Sequence, residues 1–184
     1  TASSHGAATP QLLKEQRDNL ARKIERINRN ASAPERAMTT PVLELEINSY
    51  LAFNVKTEIP RGLTHPEIRL LGNRQVAGRV YVDIDEFKRG RQAGGILDPF
   101  SYITGQVPVT ARGALLTKDG IGQFQLAAAE IHGVPLPKPW VQELVSFFSR
   151  TQERPNGFNI DEPFNLPAGI RTITIQSGEA LVVQ

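Results

Sequence analysis

Cysteine is absent from this chain of 184 residues. Its absence excludes disulfide bonds, thiolate-bound metal sites and a cysteine nucleophile, although it leaves the cellular compartment open. The chain also lacks any apolar run that approaches the roughly 18 residues needed for a membrane-spanning helix. No part of the sequence is therefore expected to cross a bilayer as a helix.

A stripe of charge of one sign is missing too. The formal net charge is +2, and basic residues are interleaved with acidic ones, as in Lys14, Glu15, Arg17 and Asp18. A nucleic-acid-binding protein is expected to show a basic stripe, because much of its affinity comes from neutralising phosphates. We therefore expect no nucleic-acid partner and interpret these charges as the solvated face of a helix.

The residues that are present fit a folded protein. Hydrophobic residues make up 40% of the chain and charged residues 22%. A disordered chain would be poorer in large aliphatic and aromatic residues. The length suits one domain with a core of its own, together with a tail.

The pattern divides the chain into four segments. Residues 1–8 show no apolar period and are expected to form a disordered tail. Residues 9–29 carry apolar residues at three-, four- and seven-residue steps, which predicts an amphipathic helix. Residues 30–40 have the composition of a linker, and we place a compact domain at residues 41–184. The sequence leaves open whether the first helix packs on that domain, associates with a copy of itself or acts as a stalk.

The compact domain is predicted to belong to the α+β class, with an antiparallel sheet packed around an amphipathic helix. Thr40 and Pro41 are expected to open a helix that runs from about Leu43 to Phe53, although the local alternation would also suit a strand. Short turns join the later strands, and such connections favour antiparallel pairing. Strands are predicted at residues 67–71, 76–85, 107–117, 159–165, 170–176 and 180–183. On the strand that returns after residue 120, one side is predicted to carry Gly122, Phe124, Leu126 and Ala128.

The segment from Trp140 to about Thr151 predicts a helix with a very wide apolar face. Trp140, Leu144 and Phe148 recur at four-residue steps, and Val141, Val145 and Phe147 flank them. Such a helix must be covered on more than one side. A packed core is the ordinary explanation, and a bound apolar ligand that shares the burial is the alternative.

Few residues suggest catalysis or metal binding. His5, His65 and His132 lie far apart in the sequence, so we assign each a structural or solvent-exposed role. Asp83 and Asp85 are expected on the same side of a strand, about 7 Å apart, where they could hold a cation or act as an acid/base pair. Without a third ligand nearby, we interpret them as part of a polar sheet face.

The segment Gly90–Gly95 is the one glycine-rich stretch. It lacks the Lys-Ser/Thr ending of a phosphate-binding loop and the spacing of a dinucleotide-binding loop. We interpret it as a flexible loop that could form the mouth of a binding site. No Gly-x-Ser-x-Gly motif occurs either. The sequence therefore predicts a protein that is not an enzyme and holds no cofactor.

Several short sequence patterns between residues 40 and 184 follow one another in an order that is also found in a known protein family. They are Glu46–Leu51, Val76–Asp85, Gly133–Pro137, Phe164–Ile170, Ile173–Ile175 and Gly178–Val182. In this order the chain resembles small bacterial envelope proteins of the LmeA type, which are similar to half of a tubular lipid-binding (TULIP) module. The N-terminal helix lies outside the resemblance.

The resemblance implies a strongly curved antiparallel sheet wrapped around a long helix, with acyl chains held between them. The helix near Trp140 would be the wrapped one. The residues implied to bind the ligand are Trp140, Leu144, Phe147, Phe148, Val80, Val82, Phe124 and Leu126.

The expected function is non-enzymatic binding or transfer of a lipid or other long apolar ligand in the bacterial periplasm, with a membrane surface as a further partner. The chain begins at Thr1 with small residues and no methionine, which fits either the removal of a signal segment or a trimmed sequence. The alternative is a cell-envelope interaction or structural module with a fully packed core. In that alternative, residues 9–29 or a sheet edge would bind a protein.

Overall fold

The computed structural model describes residues 13–32, 37–54, 59–91, 95 and 97–184. Within them the chain forms four α-helices and nine β-strands with antiparallel pairing, which confirms the α+β class. The predicted tail, residues 1–8, lies outside the described residues. None of the helices in this part of the chain is both long and apolar enough to cross a membrane.

The bounds of the elements follow the chain order. The helices are α1 (Lys14–Ser32), α2 (Glu44–Phe53), α3 (Ile84–Arg89) and α4 (Lys138–Phe148), with a 3-10 turn at Pro99–Tyr102. The strands are β1 (Thr39–Leu43), β2 (Leu63–Gly72), β3 (Gln75–Asp83), β4 (Gln106–Lys118), β5 (Ile121–Ile131), β6 (Val134–Pro135), β7 (Phe164–Asn165), β8 (Thr172–Gln176) and β9 (Glu179–Val183).

The larger sheet has six strands in the order β2-β3-β4-β5-β6, with β7 also paired to β5. Its first hairpin turns at Asn73 and Arg74, whose φ angles are +49° and +66°. Two successive positive φ angles are the backbone that a tight antiparallel hairpin requires. Along β3, Val80 and Val82 face the core while Arg79 faces solvent, so one face of this sheet is apolar.

A β-bulge in β5 changes which residues share that apolar face. Arg112 pairs with Ala128, but the next residue, Gly113, pairs with Leu126, so Ala127 is left without a partner. The extra residue shifts the alternation by one position. The prediction that Ala128 lies on the same side as Leu126 was therefore wrong, because Ala128 faces outward.

The smaller sheet has three strands in the order β1-β9-β8. The prediction that Thr40 and Pro41 open a helix was wrong, because both residues lie in β1, while α2 begins at Glu44 as the sequence indicated. Thr40 pairs with Val182 and is fully buried. Pro41 is tolerated because β1 is an edge strand, where the missing N–H disrupts no further ladder.

The predicted linker at residues 30–40 is shorter in the structure. Residues 30–32 continue α1, and Thr39 already belongs to β1. Leu20 and Ile27 of α1 are buried against the smaller sheet, in a cluster with Val42, Ile170 and Val182. Of the three arrangements that the sequence left open, the structure shows the helix packed on the domain. Self-association through α1 stays a prediction.

Polar side chains of α2 join that helix to the free edge of β2. The Asn48 side chain donates to the Ile68 carbonyl at 2.8 Å and accepts from the Ile68 amide at 2.7 Å. The Glu44 carboxylate accepts from the Leu70 amide at 2.6 Å. These contacts replace the backbone partners that an edge strand lacks and so end the sheet at β2.

We expect Asn48→Ala to lower the free energy of unfolding by about 2–4 kcal/mol, because it leaves both backbone groups of Ile68 without a partner in a buried setting. Asn28→Ala, at an exposed position on α1, is the matched control and should change it by less than about 0.5 kcal/mol. Urea unfolding measures both values. Equal effects of the two substitutions would contradict the edge-capping role of Asn48.

Candidate functional site

The apolar cluster around α4 contains most of the residues that the resemblance implied for ligand binding. Seven of the eight belong to it: Trp140, Leu144, Phe147, Phe148, Val80, Val82 and Leu126. Leu144 and Val82 are buried at 5% and 3% exposure, whereas the other five are half-buried. In this structure the protein therefore already covers the two residues at the centre of the predicted site.

Phe124 is the one predicted residue outside this cluster. It lies on the same face of the sheet, further along β5, where it pairs with Leu115. A side chain added at Gly113 would meet the Phe124 ring at 2.6 Å, so the ring lies directly over that glycine. Phe124 thus fills the inner face at the end of the sheet away from α4.

The helix α4 is shorter than the sequence indicated. It ends at Phe148, not at about Thr151, because Ser149 closes it. The Ser149 hydroxyl donates to the Val145 carbonyl at 2.5 Å and accepts from the Phe158 amide at 2.6 Å. The side chain therefore satisfies the last turn of the helix and brings Phe158 back against it.

Four aromatic rings pack edge to face beside α4. The Phe87 centroid lies 4.9 Å from that of Phe100 and 5.2 Å from that of Phe147. The Phe100 ring lies 5.6 Å from the Trp140 ring. Phe87 and Phe100 are fully buried, yet sequence reasoning missed both, because neither sits in a long apolar period.

Arg91 lies among these rings and was also missed. Its guanidinium carbon is 4.9 Å from the Phe87 centroid and 5.3 Å from the Phe100 centroid. The same side chain forms ion pairs with Asp98 at 3.1 Å and Glu143 at 2.8 Å. Arg91 therefore ties the chain after α3 to both the 3-10 turn and α4. Removing its charge would leave the buried Asp98 carboxylate without its cation.

The glycine-rich segment is only partly described. Within Gly90–Gly95, residues 92–94 lie outside the described residues, so the prediction of a flexible loop there stays a prediction. Gly90 itself is tightly packed, because a Cβ at that position would meet the Phe147 ring at 2.2 Å. The glycine is required there by close contact with the aromatic cluster.

The inner face of the larger sheet is crossed by a row of small residues. Gly78 pairs with Ala111, and Ala111 pairs with Ala129. Val80, Leu126 and Phe158 are half-buried and pack against the same cluster as Ala111 and Ala129. We call these six residues the seam.

The seam belongs to the edge of the cluster around α4, because Ala129 is part of that cluster and Val80, Ala111, Leu126 and Phe158 pack against it. A separate cluster of Leu70, Ile175 and Ala180 lies at the smaller sheet. The seam residues are small or apolar, and none of the six is titratable.

The predicted carboxylate pair is not a sheet feature. Asp83 ends β3 and caps α3, with its carboxylate accepting from the Glu86 amide at 2.9 Å. Asp85 lies within α3 and accepts from the Gly105 amide at 2.9 Å. The expectation that both share one side of a strand was wrong, because the chain turns into a helix at Ile84.

The histidines occupy separate places. His65 and His132 are exposed and have φ angles of +49° and +53°, and the His65 ring meets the Tyr81 ring edge-on at 5.7 Å. His5 lies outside the described residues. In the part of the chain that the structure describes, no cluster of three or more histidine, aspartate or glutamate side chains could hold a metal ion.

Comparison with known proteins adds no relative: no protein-family model matches this chain, and no curated protein matches it significantly. The resemblance to LmeA-type envelope proteins therefore stays a prediction from the patterns in the sequence.

We expect Gly90→Ala to lower the free energy of unfolding by about 1–3 kcal/mol, because the new methyl group would displace the Phe147 ring. The backbone of Gly90 is unstrained, with φ of −92°, so the cost is steric. The control is Gly95→Ala, where nothing lies within 4 Å of the added atom. Thermal or urea unfolding of both variants decides the point, and an unchanged stability of Gly90→Ala would show that the ring does not pack there.

Proposed function

We propose that this protein binds a lipid or other long apolar ligand without chemical conversion, and that the ligand lies along the seam. The observation that carries the proposal is that Val80, Ala111, Leu126 and Phe158, on the apolar side of the seam, are only half-buried although they pack against the cluster around α4. Each methylene group that a ligand buries contributes about 0.8 kcal/mol, so an acyl chain gains affinity without a polar anchor. Affinity of this kind requires no catalytic group.

The proposal changes the roles expected from the sequence. Val80 and Leu126 belong to the seam and would contact the ligand, as would Phe158, which sequence reasoning did not include. Leu144 and Val82 would support these side chains from the buried cluster around α4. The resemblance to LmeA-type proteins supports the same ligand class and a location in the bacterial periplasm.

A second candidate is an interaction module of the cell envelope. It is favoured by a groove of about 340 Å³ on the outer face of the larger sheet, to whose lining Gly78, Ala111 and Ala129 of the seam also contribute. Ala77 and Ala128 lie in this groove, and Arg112 and Glu130 line it with exposed charges. A groove edged by charges of both signs suits a protein segment better than an acyl chain.

Filling the seam separates the two candidates. We expect Ala111→Leu to weaken binding of a fluorescent fatty acid by roughly tenfold or more, because the larger side chain occupies the space that the ligand would take. The matched control is Ala128→Leu, which adds the same volume to the adjacent strand on the opposite face. Fluorescence titration of detergent-free protein measures both affinities, and circular dichroism verifies that both variants fold.

Each outcome has a clear meaning. Unchanged fatty-acid binding by folded Ala111→Leu would contradict ligand binding in the seam. A loss confined to Ala128→Leu would instead place the ligand in the outer groove and favour the second candidate.

A further inference from the structure

A groove of about 460 Å³ runs along one flank of α1, where that helix lies beside the start of α2. Four of its lining side chains are cationic and only one is anionic. We call it the cationic groove, and it is lined by Asn19, Arg22, Lys23, Arg26, Arg29 and Glu46.

The one carboxylate in the groove is already neutralised. Glu46 is buried at 2% exposure, and both its oxygens accept from the Lys23 ammonium, at 2.8 and 2.7 Å. The same carboxylate also accepts from the Leu43 amide at 2.9 Å, at the start of α2. The Glu46 carboxylate thus occupies the innermost part of the groove. The other lining residues leave the rest of the groove positively charged.

The three arginines of the groove have no carboxylate partner among the described residues. Arg22 donates to the neutral Asn19 side chain, and Arg26 donates to the Thr40 hydroxyl at 3.2 Å. Arg29 forms no ion pair within the described part of the chain. Within the described part of the chain, these three guanidinium groups are therefore not engaged by a carboxylate.

The arginines of the cationic groove share one side of α1 because of helical geometry, although they are not adjacent in the sequence. Residues 22, 26 and 29 are four and three positions apart, so they lie on the same side of the helix along about 10 Å. Glu25 stands between them in the sequence but is not part of the groove. Asp18 and Glu25 precede Arg22 and Arg29 by four positions and so flank the groove on the same side of α1, although neither lines it.

We propose that the cationic groove docks the protein on the phosphate groups of an anionic lipid bilayer. The proposal rests on the proposed function, because a carrier of apolar ligands must reach a lipid surface to load or release them. Basic residues near an anionic surface add to its attraction one by one. Among the residues that the structure describes, no aromatic side chain lines the groove, so they offer no stacking surface for the bases of a nucleic acid.

The test is co-sedimentation of the full chain with vesicles. Vesicles of phosphatidylcholine alone are compared with vesicles that contain about one third phosphatidylglycerol. We expect binding to the anionic vesicles only, and a loss of roughly tenfold or more when salt rises from about 0.05 to 0.5 M, because salt screens exposed charges.

A matched pair of variants locates the contact. The triple variant R22Q/R26Q/R29Q should bind anionic vesicles roughly tenfold or more weakly. The control R74Q/R89Q/R171Q removes the same charge at exposed positions outside the groove, and its affinity should stay within about twofold. If the triple variant is unstable, the double variant R22Q/R29Q takes its place, because it keeps the Arg26–Thr40 hydrogen bond. We expect it to bind anionic vesicles several-fold more weakly than the unchanged protein.

Three results would overturn the docking proposal. They are equal sedimentation with neutral vesicles, an equal loss in the control variant, and tighter binding of a short single-stranded DNA that depends on the groove arginines. The last result would assign the groove to nucleic acid.

Failure of docking and failure of the proposed function are distinguishable. The groove variants should keep fatty-acid binding, and Ala111→Leu should keep vesicle binding. If fatty acid does not bind while vesicle binding depends on the groove, the docking surface stands and ligand binding in the seam is wrong.

Discussion

The polar side chains of α2 are the constraint on which the rest of the structure depends. Asn48 and Glu44 satisfy the backbone of the edge strand β2 at Ile68 and Leu70. These contacts fix the smaller sheet and its helix against one end of the larger sheet, while α4 packs at the other end. Between these contacts, Val80, Ala111 and Leu126 on the inner face pack half-buried against the cluster around α4.

Much of the fold was accessible from the sequence because its signals are local. The alternation around Val80 and Val82 predicts a half-buried strand, and the turn at Asn73 and Arg74 predicts a hairpin. The four-residue steps that begin at Trp140 predict α4. In each case the periodic pattern of side chains or the residues of the turn lie within fewer than about a dozen positions. The element can therefore be predicted without knowledge of any distant contact.

The missed features depend on contacts between distant parts of the chain. No residue near Ala127 in the sequence indicates the bulge that turns Ala128 outward. The position of the bulge depends on the pairing register between β5 and β4. The sequence places Arg91 in a loop, and only the folded structure shows that Glu143 and the aromatic rings surround it. Pro41 suggested a helix start, but pairing with β9 made it part of an edge strand. Tertiary pairing therefore overrode local preference at these positions.

Native mass spectrometry of protein purified without detergent tests the central claim most directly, because it requires no choice of ligand. We expect a bound species close to one molecule per chain, which solvent extraction then releases as a lipid or another long apolar compound. We also expect stripped protein to take up added fatty acid or phospholipid at the same ratio. A mass equal to that of the chain alone, with no uptake of either added ligand, would contradict ligand binding and leave the seam as packed core.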